Sequence, residues 1–315
     1  MHPECPQRVD RMWEEMRKQG IADSCTVLEN RLAEDKEIEL VHDKNYVESI
    51  LSGSPEIDGS TYFHKKDSAS ANAARSAAGA VIDAVEAVCK GEARNSFCAV
   101  RPPGHHAERD RMMGFCIFNS VAIAAEKAKK DWGCNKVLIF DWDVHHGNGI
   151  QHIFYEDPSV LYISIHRGGM DKSFFYPTTG TAGEVGRGEG RGFNVNIPVE
   201  FPGVGDPVYS VAMERIVLPI AHAFKPDIVI VSAGYDAAGG DPLGGMNVSP
   251  AMFRKMTKQM MEVANQHCDG KIVLALEVPS CCNPPPPRHC GHSHRARREA
   301  TMSMSLRTVR LNASR

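Results

Sequence analysis

Two carboxylates, two histidines and two glycines are crowded into FDWDVHHGNG, residues 140–149. The apolar residues just before them predict a buried strand. In an extended segment, side chains two positions apart leave the same face, so Asp143 and His145 can bind one ion, and Asp141 shares that face. A carboxylate oxygen and an imidazole nitrogen suit zinc, and one more carboxylate would leave a coordination position open for water. The spacing predicts a catalytic metal site, and the alternative is an ordinary polar turn.

The third ligand has two candidates. The segment SAGYDAAGGDPLGG, residues 232–245, offers the carboxylates of Asp236 and Asp241. Asp241 precedes Pro242, and a residue before proline is biased towards extended or turn geometry. We expect Asp241 to complete an Asp-His-Asp set, and Asp236 is the other carboxylate available.

The neighbouring histidines His105 and His106 follow a Pro-Pro-Gly loop. Imidazole titrates near neutral pH, so these rings are suited to proton transfer. Each ring needs a partner that fixes its tautomer, and Asp141 and Asn148 are the candidates. A carboxylate raises a histidine pKa more than an amide does, so we predict that the two histidines divide the acid and base roles. A solvated His-His loop is the alternative.

The elements that must position these residues alternate between strand and helix. Apolar runs predict strands at 97–100, 137–140, 160–165, 228–232 and 272–276. Helical patterns cover 9–19, 69–89, a segment ending near 130, 148–155, 206–224 and 249–268. This alternation indicates an α/β fold with a mostly parallel sheet and helices on both faces. Because sites in such sheets lie beyond the carboxyl ends of the strands, we expect the polar loops to converge.

The composition narrows the function classes. The 315 residues, 42% of them hydrophobic, can bury a large core in one domain. A net charge of -3 and a pI near 6.5 provide no basic field, so we predict no direct nucleic-acid binding. No apolar run reaches the roughly 20 residues that span a bilayer. Ten scattered cysteines fit reduced thiols, so we expect a soluble intracellular protein with no membrane partner.

Six segments together resemble the zinc-dependent histone deacetylases, most closely their class II branch. They are RPPGHHAE, GFCIFNSVAIAA, DWDVHHGNG, DPSVLYISIHR, VSAGYDAAGGDPLGG and KIVLALE, within residues 2–277. The resemblance implies an arginase/deacetylase-like α/β fold with an eight-stranded, mostly parallel sheet. It also implies hydrolysis of N6-acetyl-lysine in proteins. We therefore predict a catalytic domain at 1–277 that has lost its C-terminal elements, with a missing first strand as an open alternative.

The same resemblance assigns roles to individual residues. It implies three zinc ligands, which are Asp143, His145 and Asp241. His106 is then the general base for the attacking water, and His105 with Asp141 gives electrostatic support. A structural potassium ion is also implied, held by side-chain and carbonyl oxygens of Asp141, Asp143, His145, Ser164 and Ile165.

A narrow tunnel for the acetyl-lysine side chain is implied as well. Gly114 lies at its floor, and Phe115 and Tyr176 form its walls. Tyr176 is preferred over Phe175 because the proline that follows sets the register. Leu243 stands where a member specialised for acetylated polyamines would carry a glutamate, so this position favours acetyl-lysine in proteins; simple packing is the alternative role for Leu243.

The expected partners follow from the family. They are acetylated histones or other acetylated proteins, together with co-repressor proteins that act in transcription and chromatin regulation. The expected location is the nucleus, the cytoplasm or both.

The family pattern breaks after Glu277. The family continues with Gly-Gly and then Tyr or, in one subgroup, His, and the tyrosine hydroxyl donates to the oxyanion. This chain continues with Val-Pro-Ser-Cys-Cys-Asn. Losing an oxyanion donor typically costs about 10²–10³ in rate. We therefore predict a deacetylase with impaired activity. The alternatives are an inactive module that binds acetyl-lysine or partner proteins, and a poorly folding isoform.

Residues 278–315 change in composition. From residue 279 onwards the segment has seven arginines against the single Glu299, and four consecutive prolines. We expect a divergent, disordered tail without the closing helix and strand of such a domain. A second zinc site is the alternative there, with the candidate ligands Cys281, Cys282, His289, Cys290, His292 and His294.

Overall fold

The computed structural model describes residues 4–57, 59, 61–64, 68–168, 175–278 and 307–311. The strands in these ranges are β1 Cys25–Leu28, β2 Asn95–Ala99, β3 Val137–Asp141, β4 Val160–Arg167, β5 Asn194–Val199, β6 Ile228–Ala233, β7 Ile272–Leu276 and β8 Arg307–Leu311. The α-helices are α1 Gln7–Lys18, α2 Asp35–Ile38, α3 Lys44–Leu51, α4 Ala69–Cys89, α5 Ser120–Trp132, α6 Asn148–Phe154, α7 Asp206–Ala212, α8 Leu218–Phe224 and α9 Pro250–His267. A π-helical turn, Met213–Val217, joins α7 to α8.

The strands form one sheet in the order β1-β8-β2-β7-β6-β3-β4-β5. The six strands from β2 to β5 in this order are parallel to their neighbours. β8 runs antiparallel to β1 and to β2 at the other end of the sheet. The predicted fold class, a mostly parallel sheet with flanking helices, is therefore confirmed.

A hydrophobic core lies on each face of the sheet. Alternate residues of β3 pack into the two cores. Val137 and Ile139 lie in one core, and Leu138 and Phe140 lie in the other. Helices α3 to α6 cover the first face, and α7 to α9 cover the second. A strand buried on both faces must be apolar throughout, which is why its sequence is continuous rather than alternating. Among the described helices, none is long and apolar enough to cross a membrane.

The five strands and six helical regions predicted from apolar patterns all occur within a few residues of their predicted bounds. β1, β5 and β8 were not predicted. β5 reads Asn-Val-Asn-Ile-Pro-Val and forms an edge of the sheet. Edge strands tolerate polar residues and proline because one side makes no ladder hydrogen bonds, so the apolar signal is weak there.

β8 corrects the expectation that the whole tail lacks regular structure. Its backbone pairs with β1 on one side and β2 on the other. Two exposed strand edges offer unpaired backbone groups, and a five-residue strand between them satisfies both at once. The candidate ligands of the second zinc site, all within 281–294, lie outside the described residues.

Candidate active site

Three side chains that could hold a metal ion, the metal-ligating group, lie where β3 and β6 end. These two strands are parallel neighbours, so the loops that follow them leave the sheet side by side. Asp143 and His145 lie in the loop after β3, and Asp236 lies in the loop after β6. Their ligand atoms all lie within 4.8 Å of one another. The Val144 N–H donates to Asp236 Oδ1 at 2.8 Å and ties the two loops together.

The geometry of this group fits a divalent ion at its centre. His145 Nδ1 lies 3.1 Å from Asp143 Oδ1 and 2.8 Å from Asp236 Oδ2. One ring nitrogen carries at most one hydrogen, so it cannot donate well to both carboxylates. An ion bound at about 2.0–2.2 Å from each atom would satisfy all three. The donor set, two carboxylate oxygens and an imidazole nitrogen, is one that zinc accepts.

The electrostatics of the group point the same way. Burial raises the pKa of Asp143 to about 7, and the neighbouring Asp236 carboxylate adds to the rise. Burial lowers the pKa of His145, but the carboxylates of Asp236 and Asp143 outweigh burial and raise it to about 10. Two carboxylates that are fully buried together need a compensating positive charge. A protonated His145 supplies it in the absence of an ion, and a divalent cation bound to all three side chains could supply it instead.

Asp241 does not belong to this group, which corrects the sequence-based choice of third ligand. Its Oδ1 accepts the backbone N–H groups of Leu243 at 2.7 Å and Gly244 at 2.8 Å. Asp236 follows the end of β6 at Ala233 by three residues, and Asp241 follows it by eight. Asp241 therefore holds a turn further along the loop, whereas Asp236 stays beside the strand end and faces the loop from β3.

Gly234 is needed for this close approach of the two loops. A Cβ at this position would come within 2.0 Å of Asp143 Oδ2. Any side chain there would displace the Asp143 carboxylate from the group.

His105 pairs with a carboxylate, as the sequence suggested. Its Nδ1 lies 3.0 Å from Asp141 Oδ2, and the Tyr162 hydroxyl donates to the same oxygen at 3.0 Å. Burial lowers the pKa of His105, but the charges of Asp143, Asp141 and Glu277 raise it to about 10. The ring is therefore a protonated, fixed positive charge beside the metal-ligating group.

His106 pairs with an amide instead. Its Nδ1 lies 2.8 Å from Asn148 Oδ1. Burial holds the pKa of His106 well below its usual value, and the neighbouring His105 and His145 add to the effect. The ring is therefore neutral near pH 7, and its centroid lies 6.0 Å from that of His145. A neutral imidazole beside a metal-ligating residue is placed to accept a proton.

Gly114 lies directly against the His106 ring. Its φ is +57°, and a Cβ there would come within 2.3 Å of His106 Cδ2. Phe115 follows with its N–H donating to Thr61 Oγ1 at 3.2 Å. The residue predicted at the tunnel floor thus adjoins the His106 ring, and a larger side chain there would push that ring away.

Both aromatic residues considered for the tunnel wall reach the site. The Tyr176 ring stands edge-on to His106, with 5.1 Å between centroids. The Phe175 ring stacks on His145, with 4.9 Å between centroids and 6° between planes. Tyr176 therefore adjoins His106, and Phe175 covers His145. Phe174 lies outside the described residues.

Arg167 links this aromatic wall to the loop of Leu243. Its guanidinium lies 4.4 Å from the Phe175 ring centroid, and its Nη1 donates to Gly244 O at 3.1 Å. Leu243 itself is 39% exposed. Leu243 thus lies on the exposed surface of a loop that is tied to the wall of the site.

Glu277 is a site residue whose role the sequence did not reveal. Its Oε2 accepts the N–H groups of Gly104 at 2.6 Å and His105 at 3.1 Å, and its Oε1 accepts from Ser232 Oγ at 2.8 Å. The side chain fixes the backbone of the histidine loop to the carboxyl ends of β6 and β7. A charged residue directly after a fully apolar strand is the signal that could have identified it.

The residues proposed for potassium lie next to the metal-ligating group. Asp141 of β3 is paired with Ser164 of β4 in the parallel register, and Ile165 follows. All three are fully buried. The potassium ion itself remains a prediction.

Three comparisons with known proteins agree with this geometry. The histone deacetylase domain family matches residues 2–277. The chain is 44% identical over 289 residues to histone deacetylase 5 of Arabidopsis thaliana, covering 88% of this chain and 43% of that protein. It is 42% identical over 308 residues to histone deacetylase 7 of Homo sapiens, covering 88% of this chain and 32% of that protein. The chain therefore spans less than half the length of these relatives.

A solved structure gives the same result at the level of the fold. The crystal structure of the HDA15 HD domain superposes with a TM-score of 0.82 at 43% identity, covering 88% of this chain and 76% of that one. Family match, sequence identity and fold all cover the segment that carries the metal-ligating group and the two histidines. The chain belongs to the histone deacetylase family and is similar to its class II branch.

Proposed function

We propose that the chain is a zinc-dependent protein lysine deacetylase of impaired activity that hydrolyses N6-acetyl-lysine. One observation carries the proposal. A buried Asp-His-Asp group and a neutral histidine, His106, lie side by side at the carboxyl edge of the sheet. A metal-ligating group next to a base is what amide hydrolysis by water requires.

The proposed zinc ligands are Asp143, His145 and Asp236. Zinc bound there supplies Lewis-acid polarisation of the acetyl carbonyl and lowers the pKa of a water molecule. His106 accepts the proton of the attacking water on its Nε2, because its Nδ1 is engaged by Asn148. It then returns that proton to the departing lysine amine.

His105 has a different role in this proposal. Its proton is held between the buried carboxylates around it, so it does not act as the base. It provides a fixed positive charge that favours the negative charge developing on the carbonyl oxygen. Asp141 orients its ring through Nδ1.

The proposed impairment rests on the sequence after Glu277. No tyrosine follows Glu277 in the chain. The family's Gly-Gly-Tyr would occupy positions 278–280, where this chain has Val-Pro-Ser, and residues 279 and 280 lie outside the described residues. The backbone N–H of Val278 lies 3.3 Å from Asp143 Oδ2 and donates to it. This N–H is therefore directed at a proposed zinc ligand and not at a substrate oxygen.

The second candidate function is a catalytically inactive module that binds acetyl-lysine or a partner protein. The observation that favours it is the same break after Glu277, because binding needs the metal site and tunnel but no oxyanion donor. A poorly folding isoform is the third outcome.

Zinc content and turnover of an acetyl-lysine peptide distinguish these outcomes. We expect about one zinc per chain with slow, chelator-sensitive turnover. Zinc without turnover would favour the binding module, and absence of both would indicate a folding failure. A hydrolysis rate as high as that of a family member with the tyrosine would refute the proposed impairment.

The identity of the third ligand has a matched test. We expect Asp236→Asn to weaken zinc binding by more than the roughly 10–100-fold that loss of an outer partner costs, because it removes a direct ligand. Asp241→Asn is the control, since Asp241 holds a turn. Zinc affinity is measured by competition with a chelator. A larger loss in Asp241→Asn than in Asp236→Asn would contradict the assignment.

The finer proposals concern ions, substrate and place of action. We propose a structural potassium ion near Asp141, supported by the burial of Ser164 and Ile165 beside it. The apolar Leu243 supports acetylated histones or other acetylated proteins as substrates over acetylated polyamines. Co-repressor proteins and a nuclear or cytoplasmic location are proposed because the relatives are named histone deacetylases.

A further inference from the structure

A buried carboxylate lies between the partner of His106 and the protein surface. Glu108 Oε1 accepts from Asn148 Nδ2 at 2.5 Å. On its other side, Glu108 lies 2.9 Å and 3.1 Å from His152 Nδ1 through its two oxygens. The side chain of Glu108 is 8% exposed, and that of His152 is 46% exposed. A hydrogen-bonded chain therefore runs from His106 through Asn148 and Glu108 to solvent.

Helix α6 sets the spacing of this chain. Asn148 is its first residue and His152 lies four residues later, so both project from the same side of the helix. Glu108 lies in the histidine loop, two residues after His106. The helix presents one donor at each end to the same carboxylate.

The direction of these bonds determines how the Asn148 amide is oriented. An amide has a donating NH₂ end and an accepting oxygen end, and it can be flipped at little cost when its surroundings do not distinguish them. A carboxylate only accepts, so Glu108 requires the NH₂ end of Asn148 to face it. The oxygen end must then face His106, and only an N–H on Nδ1 can donate to it. The remaining nitrogen, Nε2, is left with its lone pair.

Other contacts of Asn148 agree with this orientation. Its Nδ2 also donates to the carbonyl oxygen of His106 at 3.3 Å. The nearest other cation is Arg111, whose Nη2 lies 4.0 Å from Glu108 Oε1 with a side chain that is 61% exposed. His152 is therefore the closer counter-group of the Glu108 carboxylate.

We propose that Glu108 is a positioning residue: it orients the Asn148 amide and thereby holds His106 in the tautomer with its proton on Nδ1, while His152 secures Glu108 from the solvent side. The proposal rests on the proposed function in that an unprotonated Nε2 is what a general base needs. The tautomer itself is a property of the protein and can be measured without turnover.

The test first replaces the Glu108 carboxylate by an apolar side chain. It then replaces Asn148 by a residue that can accept from His106 without being oriented by Glu108. Glu108→Leu removes the charged acceptor at nearly constant volume, so the Asn148 amide loses its shortest orienting bond and keeps the longer one to His106 O at 3.3 Å. We expect His106 to become a mixture of tautomers and kcat to fall roughly 10- to 100-fold, with KM nearly unchanged. Adding Asn148→Asp should restore the Nδ1–H tautomer, because a carboxylate accepts from either oxygen and needs no orientation.

The tautomer is read from ¹⁵N spectra of the zinc-loaded full chain with labelled imidazoles. The His106 signals are identified by their absence in His106→Ala. Glu108→Gln is the second variant, for the case that Glu108→Leu does not fold; it keeps an acceptor and should keep most of the Nδ1–H form. Glu156→Ala is the matched control, since it removes an exposed glutamate on the surface that is paired with Arg187.

The outcomes separate the two proposals. An unchanged Nδ1–H tautomer in a folded Glu108→Leu variant would overturn the positioning role. A tautomer that is lost but not restored by Asn148→Asp would also overturn it, since Glu108 would then act through general packing. If the tautomer changes in these variants as expected but the protein shows no turnover, the positioning role is supported and the proposed deacetylase function is refuted.

Discussion

His105 and His106 are neighbours in the chain, with 4.0 Å between ring centroids, yet their surroundings have opposite effects. His105 meets the carboxylate of Asp141, and its pKa is raised to about 10. His106 meets the amide of Asn148, and its pKa lies well below its usual value. Both rings are fully buried, so burial does not distinguish them. The difference teaches that the charges around each ring decide its state: carboxylates surround His105 and keep it charged, whereas His105 and His145 lower the pKa of His106 and leave it neutral for proton transfer.

The largest expected effect comes from removing the neutral ring. We expect His106→Ala to reduce deacetylation by about 10²–10⁴-fold, the usual contribution of a general base, with zinc content unchanged. Turnover of an acetyl-lysine peptide is the measurement. His222→Ala serves as the control, because His222 pairs with His267 on α8 and α9. Retained turnover in His106→Ala would show that His106 is not the residue that transfers the proton.

A middle-sized effect is expected from exchanging the partners. Asn148→Asp, made together with Glu108→Gln so that two carboxylates do not face each other, gives His106 a carboxylate like that of His105, which should raise its pKa and keep it protonated to higher pH. Since the base must be neutral, the acidic limb of the kcat/KM profile should move to higher pH. The reciprocal change, Asp141→Asn, should lower turnover by roughly 10–100-fold without moving that limb in the same direction.

The pH profile decides this prediction. If Asn148→Asp leaves the acidic limb in place, the partner on Nδ1 does not control the pKa of His106. The comparison between the two rings would then rest on the other charges around them, which for His106 are those of His105 and His145.

The smallest expected effect lies at the surface end of the chain behind His106. The hydrogen bond to Glu108 raises the pKa of His152. A raised pKa in the folded state stabilises the protein fully below the unfolded value of about 6.5, and this contribution is lost as pH rises through the folded value. His152→Gln should therefore lower the free energy of unfolding more at acidic than at alkaline pH.

Solvent screening keeps this effect small. Because the His152 side chain is 46% exposed, we expect a difference of about 1 kcal/mol or less. Denaturant unfolding of both proteins at several pH values measures it. An equal difference at every pH would show that the charge of His152 does not stabilise the fold.

Much of the fold followed from the chain because the central strands are buried on both faces. The apolar runs of β3, β6 and β7 are continuous, and their ends were predicted to within one residue. β5 and β8 escaped prediction because pairing with a neighbouring strand, and not their own apolar pattern, defines them. Tertiary context overrides local preference here at the edge strand β5 and at β8, which lies between β1 and β2.

The candidate site shows the same division. Asp143 and His145 were found from spacing alone, because two residues that bind one ion can be placed by local geometry. The choice between Asp236 and Asp241 was not local. It depended on where the loop after β6 turns, and backbone hydrogen bonds of the Leu243 turn decided that.

The sequence by itself determined that this chain has a parallel α/β sheet, two adjacent histidines and an Asp-His metal motif, because each is encoded within a short stretch. Only the tertiary structure placed Asp236 beside Asp143 and His145, Glu277 against the histidine loop and Glu108 behind Asn148. These depend on contacts between segments up to 173 residues apart. The spacing of residues within a short stretch indicates which chemistry they could perform. Long-range packing determines which side chains meet, because a ligand set or a tautomer depends on distances of a few ångströms between separate loops.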